Sequence, residues 1–567
     1  MGAGVIRRRK PPSFPSPSSL GAPDRFTAWR SSQVQAFKNL LDDPGKGKRI
    51  SLDIIPTGVG KSLLYMTLAF LESHARFLIL TSTKALQDQL MNDFGTHPDV
   101  CDIRGIANYP CIALKPGGEH AQLERVTRIV FRQPPPTPLG CELGPCMGGM
   151  TCSLKDKGCL YFDRARQAKA ARVVITNYAY WLSIQPGALG DFDYLILDEA
   201  HEAPSELSDH LRVRITDREA DSHLKGRRPP MDLLEVRGWA KAGHSAILPD
   251  IEKIQAAATG GDDRKRLKTL KELSIRLQRV TQAGPDWVCW REEPDRWNPD
   301  ASPATCYEPV WPKHHTEAKL FRNISRIALF SATATPKTLE FLGVDTKAPD
   351  VRVTEYPSPF PAERRPIIYA KPLMKELATR LTYKADDSVL RRWLEKIDGI
   401  IKTRLDRKGI LHTVSYDRAR LVMMNSQHRQ HLLSHESRNT RQTVQAFRVS
   451  QAPKLLVSPS VTTGVDFPMD LCRYQIIGKI AFPTSTDPIT KARTKDDPDY
   501  PHHLAMTHLV QAVGRGMRGE EDWCETIIID DNWSWWGYKY RHLAPGWFWD
   551  AYQVREGLPN AMSIPNQ

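Results

Sequence analysis

Three short stretches carry residue types that together could bind and split a nucleoside triphosphate. "ISLDIIPTGVGKSLLYMTLAF" (50–70) is a β-rich apolar run, a Gly-containing turn and an apolar helical pattern, the context in which a phosphate-binding loop forms. Gly58 and Gly60 let backbone N–H groups approach phosphate closely, and the helix N-terminus adds partial positive charge. Thr57, Gly58, Val59, Gly60, Lys61 and Ser62 are thus the candidate cradle. Lys61 would stand between the β- and γ-phosphates, and the Ser62 hydroxyl would ligate Mg²⁺. Ile55 occupies the position where the simplest G-x-x-x-x-G-K-[ST] pattern has Gly.

The second stretch, "FDYLILDEAH" (192–201), is an apolar strand ending in acids. Sheets of α/β proteins present their chemistry at the C-terminal ends of strands. Asp198 suits holding Mg²⁺ through water, and Glu199 suits orienting and deprotonating the attacking water. Helix capping explains either acid alone, but not an apolar strand ending in D-E-A-H downstream of such a loop. The third, "HLVQAVGRGMRGEEDW" (508–523), places Arg515 and Arg518 at i and i+3, predicting one face of a helix. Guanidinium suits the charge on a transferring phosphoryl group, and an arginine so used contributes about 10³–10⁵ in rate. A solvated basic helix is the plainer alternative; Gln511, Gly514 and the following "ETIIIDD" weigh against it.

Half-sites this far apart predict two α/β domains with ATP in the cleft between them, and cleft opening and closing would make the chain a motor. A 567-residue chain with 41% hydrophobic and 25% charged residues fits a multidomain globular protein. Its apolar runs are strand-sized, far short of a membrane span. The start, MGAGVIRRRK, has no apolar signal core, and Ile6 rules out a myristoylation pattern, so the expected compartment is the cytoplasm. A formal charge of +14 points to a polyanion such as nucleic acid, with a basic solubility surface as the alternative. Residues 1–25 read as a disordered basic tail.

Taken in order, the motifs resemble the XPD/DinG-like iron–sulfur DNA helicases of superfamily 2, over about residues 26–535. "FTAWRSSQVQAF" (26–37) is similar to the family's adenine-recognition segment, with Arg30 and Gln33 in its R-x-x-Q pattern. PTGVGKS is similar to motif I, "LILTSTKALQDQL" (78–90) to motif Ia, and "VVITNYAYWL" (173–182) to the run into DEAH. "LFSATATP" (329–336) resembles motif III, "YPSPFPAERRPIIYA" (356–370) the hinge into the second motor, and "GILHTVSYDRA" (409–419) motif IV. "SVTTGVDFP" (460–468) resembles motif V, with Gly464 and Asp466 matching and Thr463 in place of an acidic residue, and "QAVGRGMR" resembles motif VI. "RGIANYPC" (104–111) and "CLYFDRAR" (159–166) resemble the segments bearing the first and last cluster cysteines, Leu160 replacing a proline.

The resemblance implies an α/β fold of two RecA-like motor domains with an Fe–S insertion and an α-helical Arch insertion in the first. The implied boundaries are 26–99, 171–204 and 326–340 for motor domain 1, 100–170 for the Fe–S domain, 205–325 for the Arch, and 341–567 for motor domain 2. It also implies ATP, Mg²⁺ and a [4Fe–4S] cluster, with 5′-to-3′ movement on single-stranded and forked DNA. A monomer in a bacterial or phage-infected cell is expected. Within the second insertion, "DDRKRLKTLKELSIRLQRV" (262–280) has a helical apolar stripe at 267, 270, 273, 277 and 280. Its basic face fits solvent or DNA equally.

Of the ten cysteines, Cys141, Cys146, Cys152 and Cys159 crowd one stretch, separated by gaps of four, five and six residues. The missing C-x-x-C spacing argues mildly against a zinc ribbon, whereas [4Fe–4S] thiolate cages tolerate varied spacing. Spacing alone leaves both open. The family contexts nominate Cys111 and Cys159 as first and last ligands. Cys146 and Cys152 complete the expected set, with Cys141 the alternate. The five tryptophans of 532–552 are expected to pack against motor domain 2 rather than stack on bases. Two other readings stand beside the helicase one: a translocase that uses the same motor to strip proteins from DNA, and, from another class, a nucleic-acid-binding ATP switch with a zinc module.

Overall fold

The computed structural model describes residues 14–114, 140–148, 152–156, 158–257, 261–294, 298–381, 386–459, 466–519 and 521–563. Continuous apolar runs rather than alternating ones form most strands, as expected where helices cover both faces of a parallel sheet. In chain order the first ten are β1 (Ile50–Ile54), β2 (Phe77–Thr81), β3 (Val100–Asp102), β4 (Val173–Asn177), β5 (Tyr194–Asp198), β6 (Val213–Thr216), β7 (Trp287–Glu292), β8 (Ala304–Pro309), β9 (Arg326–Ser331) and β10 (Val351–Glu355). The remainder are β11 (Ile367–Lys371), β12 (Lys408–His412), β13 (Leu432–Ser434), β14 (Lys454–Ser458), β15 (Tyr474–Ile477), β16 (Glu525–Ile528) and β17 (Tyr552–Glu556). Two seven-stranded parallel sheets result, ordered β10-β1-β9-β5-β2-β4-β3 and β13-β14-β12-β15-β16-β11-β17. These are two RecA-like α/β domains.

The first sheet runs beyond residue 340, the boundary expected from sequence, because β10 pairs with β1 from Ile50↔Val351 to Ile54↔Glu355. A buried charge explains the pairing. Asp53 in β1 is fully buried, and Arg352 of β10 reaches both its oxygens and those of Asp43 at 2.7–3.0 Å. Burial pushes the Asp53 carboxyl up despite the guanidinium beside it, so the ion pair needs Arg352 in place.

Between β5 and β9 the chain builds a unit that is only partly helical. Helices spanning Leu233–Ala257 and Gly261–Val280 pack beside an antiparallel sheet β6-β8-β7. Leu267, Leu270, Leu273, Leu277 and Val280 are all buried there, while Arg276 pairs with Glu219 and Arg279 donates to the His210 carbonyl. Two of that helix's basic residues therefore serve the fold; Lys265 and Arg266 stay exposed. Near the C-terminus Trp533, Trp536 and Trp547 are buried on motor domain 2, leaving Trp535 47% exposed.

Arg404 and Glu525, both with fully buried side chains, form a two-pronged pair at 2.8 Å that fixes the start of β16. Arg404→Met strands the carboxylate and should cost about 3–5 kcal/mol, read as a lowered urea midpoint. A change below about 1 kcal/mol would show that Glu525 does not depend on this partner.

Candidate active site between the two sheets

The phosphate-binding turn joins β1 to the helix Lys61–Leu71. Gly58 and Gly60 adopt φ of +76° and +89°, conformations nearly free of cost only for glycine. Thr57, Gly58, Gly60, Lys61 and Ser62 line a cleft of about 430 Å³ whose opposite wall carries Arg448, Asp466, Gln511, Arg515 and Arg518 from the second domain. The two walls touch. A Cβ on Gly58 would lie 2.6 Å from the Met517 carbonyl oxygen, and one on Gly514 would lie 2.6 Å from Thr57 Oγ1.

At the end of β5, Asp198 and Glu199 face the loop. Burial, reinforced by Glu199, pushes Asp198 up to about 6. Burial also opposes ionisation of Glu199, but Lys61 and His201 outweigh it and hold that carboxyl down at about 2. Lys61 Nζ lies 3.2 Å from Glu199 Oε1. Glu199 has φ of +50°, a sparsely populated conformation for a side-chain-bearing residue that aims the carboxylate into the cleft. Ser62 and Asp198 lie on the same wall, an oxygen pair suited to Mg²⁺.

Arg515 and Arg518 are both in the cleft but not on a helix face. Their helix ends at Val513, and Gly514 starts a turn that carries them, so the i, i+3 helical expectation fails while their convergence holds. Each lies by Asp466, Arg515 at 3.8 Å and Arg518 in direct hydrogen-bond contact. Arg30 and Gln33 do not line the cleft. Arg30 donates to the Gly58 carbonyl and Gln33 to those of Val59 and Gly60, bracing the loop from behind. The Val59 side chain points into the core, leaving only its backbone for phosphate. Gly464 falls outside the described residues.

Three further residues join the site: His201, Ser331 and Arg448. His201 bridges the domains: its Nδ1 is 2.9 Å from Ser331 Oγ, and its Nε2 contacts the Gln511 amide. The DEAH and SAT strings signal these residues, but not their meeting. Arg448, unflagged by any motif, lines the cleft and donates to the Asp466 carbonyl at 2.8 Å.

The inserted cysteines gather elsewhere. Cys111 and Cys141 are buried against Ala113 and Leu114, with Cys152, Cys159, Tyr109 and Tyr161 packed on them. A Cβ on Gly144 would lie 3.1 Å from Cys111 Sγ and 3.7 Å from Cys146 Sγ. Cys141 is not set apart as expected: it is 2% exposed, its N–H donates to the Tyr109 carbonyl, and burial and the thiols of Cys159 and Cys111 push its own up. Among the described residues no three His, Cys, Asp or Glu converge on a single-ion position. All five thiols are free, and this all-thiol donor set in an apolar pocket fits an iron–sulfur cluster.

Gly514→Ala tests the contact between the walls. Its methyl would drive against Thr57 and displace the arginine turn, and misplacement of about 1 Å costs about 10² in rate. A steady-state assay should show kcat down by about that factor, and an unchanged kcat would refute the close contact.

The Helicase C-terminal domain family model matches residues 405–549, and the type III restriction enzyme res subunit model matches 26–222. No curated protein matches the chain. A solved structure titled XPD helicase is 14% identical with a TM-score of 0.56, covering 93% of this chain and 99% of that one. Xpd4 of S. tokodaii is 11% identical with a TM-score of 0.52, covering 93% and 100%. The two matched models, in order on the two sheets, mark the chain as an ATP-dependent helicase, and it shares the fold of the XPD structures.

Proposed function

We propose that the protein is a DNA helicase that moves 5′ to 3′ on single-stranded DNA and opens forked duplexes. It acts as a cytoplasmic monomer in a bacterial or phage-infected cell. The observation that carries this reading is a cleft between two RecA-like sheets combined with a pocket inserted into the first where Cys146 joins Cys111, Cys141, Cys152 and Cys159. The charge of +14 supports a polyanionic track. In this reading the cysteine insertion and the part-helical insertion after β5 stand at the strand-separation point.

The cleft's own residues account for hydrolysis. On binding ATP, Lys61 leaves Glu199 for the β- and γ-phosphates, and Arg515 and Arg518 leave Asp466 for the transferring phosphoryl group. Glu199 takes a proton from the attacking water. The water oxygen bonds to the γ-phosphorus as the bond to the β,γ-bridging oxygen breaks, and ADP departs with that electron pair. Mg²⁺, held by Ser62 and through water by Asp198, would neutralise charge on the phosphates. His201 links Ser331 to Gln511 and so reports the nucleotide state across the cleft. A [4Fe–4S] cluster on Cys111, Cys146, Cys152 and Cys159 would tie the insertion's loops together, with Cys141 close enough to compete with Cys146.

Lys61→Ala should lower DNA-stimulated ATPase by about 10³-fold or more while single-strand binding persists; wild-type turnover would refute the site. Protein prepared without oxygen should carry about four irons and unwind a fork with a 5′ tail. Cys152→Ser should lose both the iron and unwinding while keeping most ATPase. Of Cys141→Ser and Cys146→Ser, only the ligand's replacement should lose iron. Stoichiometric zinc would favour the ATP-switch reading, and ATPase-driven protein displacement without unwinding would favour the translocase.

A further inference from the structure

A buried junction that ATP chemistry does not use joins the part-helical insertion to the second motor domain. Its centre is Arg493, 7% exposed, on a helix we label α1 (Pro488–Asp496) that precedes α2 (Tyr500–Val513). The guanidinium donates to Glu308 Oε1 at 3.0 Å, Ser208 Oγ at 2.9 Å, the Val310 carbonyl at 2.7 Å and the Tyr500 hydroxyl at 2.9 Å. Glu308, wholly buried in β8, accepts from Arg212 Nε at 2.5 Å through its other oxygen. Trp311, just after β8, donates to Asp496 at 2.5 Å, stacks on Phe341 at 4.7 Å and meets Tyr500 edge-on at 5.2 Å.

The second helix connects this junction to the nucleotide. Its fourteen residues span about 20 Å. Tyr500 at its start sits in the junction, Gln511 in its last turn contacts His201, and Arg515 follows in the cleft. A helix packed along its length moves as a rod, so a displacement at one end reaches the other.

We propose that Arg493 is a positioning residue that couples the nucleotide state of the cleft to the insertion through α2. When the arginines after α2 turn from Asp466 to phosphate, α2 moves with them, and Tyr500 and Arg493 carry Glu308 and the β6-β8-β7 sheet along. A buried ion pair is suited to such coupling. Sliding it apart would strand a charge away from water, so the junction moves as one piece.

The test combines hydrogen exchange with forked-DNA unwinding, using the full chain with and without ATPγS. In the wild type, ATPγS should alter exchange at the P-loop and also at 261–280 and 304–309. Arg493→Met should keep the P-loop response, lose the response in the insertion, and lower strands separated per ATP by about tenfold, with ATPase within about threefold. Arg493→Lys, which keeps the charge, should restore at least part of the insertion response and serves if the methionine variant does not fold. An insertion response that persists in Arg493→Met, or loss of the P-loop response along with it, would overturn the coupling. So would a wild-type insertion indifferent to nucleotide. The exchange readout does not rest on the proposed unwinding: coupled exchange in a wild-type protein that opens no fork would refute the helicase reading and leave the coupling intact.

Discussion

The contact between Gly58 and the Met517–Arg518 turn is the constraint on which the rest depends. Two glycines facing each other's loops, Gly58 and Gly514, allow the walls of the cleft to approach with no side chain between them. The residues proposed to read and split ATP line the cleft beside that contact: Lys61 and Glu199 on one wall, Arg515 and Arg518 on the other. The sheets supply rigidity so that this loop-to-loop fit is made by whole domains rather than by flexible segments. Buried ion pairs brace both sheets, Arg352 of the edge strand β10 with Asp53 in the first and Arg404 with Glu525 of the interior strand β16 in the second.

Local signals are legible from sequence because their causes are local. The P-loop declares itself by glycines at positive φ before an apolar helix, and the acids by their place at a strand end. Apolar spacing suffices for the helix ending at Val280. Gly514 offers a signal that spacing alone obscures: a glycine at the end of a helix commonly stops it, and it places Arg515 and Arg518 on a turn. Arg30 and Gln33 are located by pattern, yet their donors go to backbone carbonyls, a choice invisible without coordinates.

Long-range meetings are the illegible part. His201 and Gln511 are separated by most of the chain, and nothing in either string shows that an amide will rest on that imidazole. The family contexts leave Cys141 as the alternate, and nothing in its own stretch shows that the Tyr109 carbonyl, well upstream in the chain, holds the Cys141 backbone in the pocket beside Cys111. The edge strand β10 lies past a helix and a loop, and only the buried charge of Asp53 in the neighbouring strand calls for Arg352 there.

In the mechanism proposed above, the Lys61–Glu199 pair at 3.2 Å would give hydrolysis an order of events. As long as the lysine stays on the carboxylate, the base is masked and water beside it is not activated. Phosphate bound in the loop would draw the ammonium away, so the substrate itself would free the proposed base. The arginines held by Asp466 form a second such lock on the facing wall. In that proposed order, hydrolysis begins only once both ion pairs have been exchanged for phosphate.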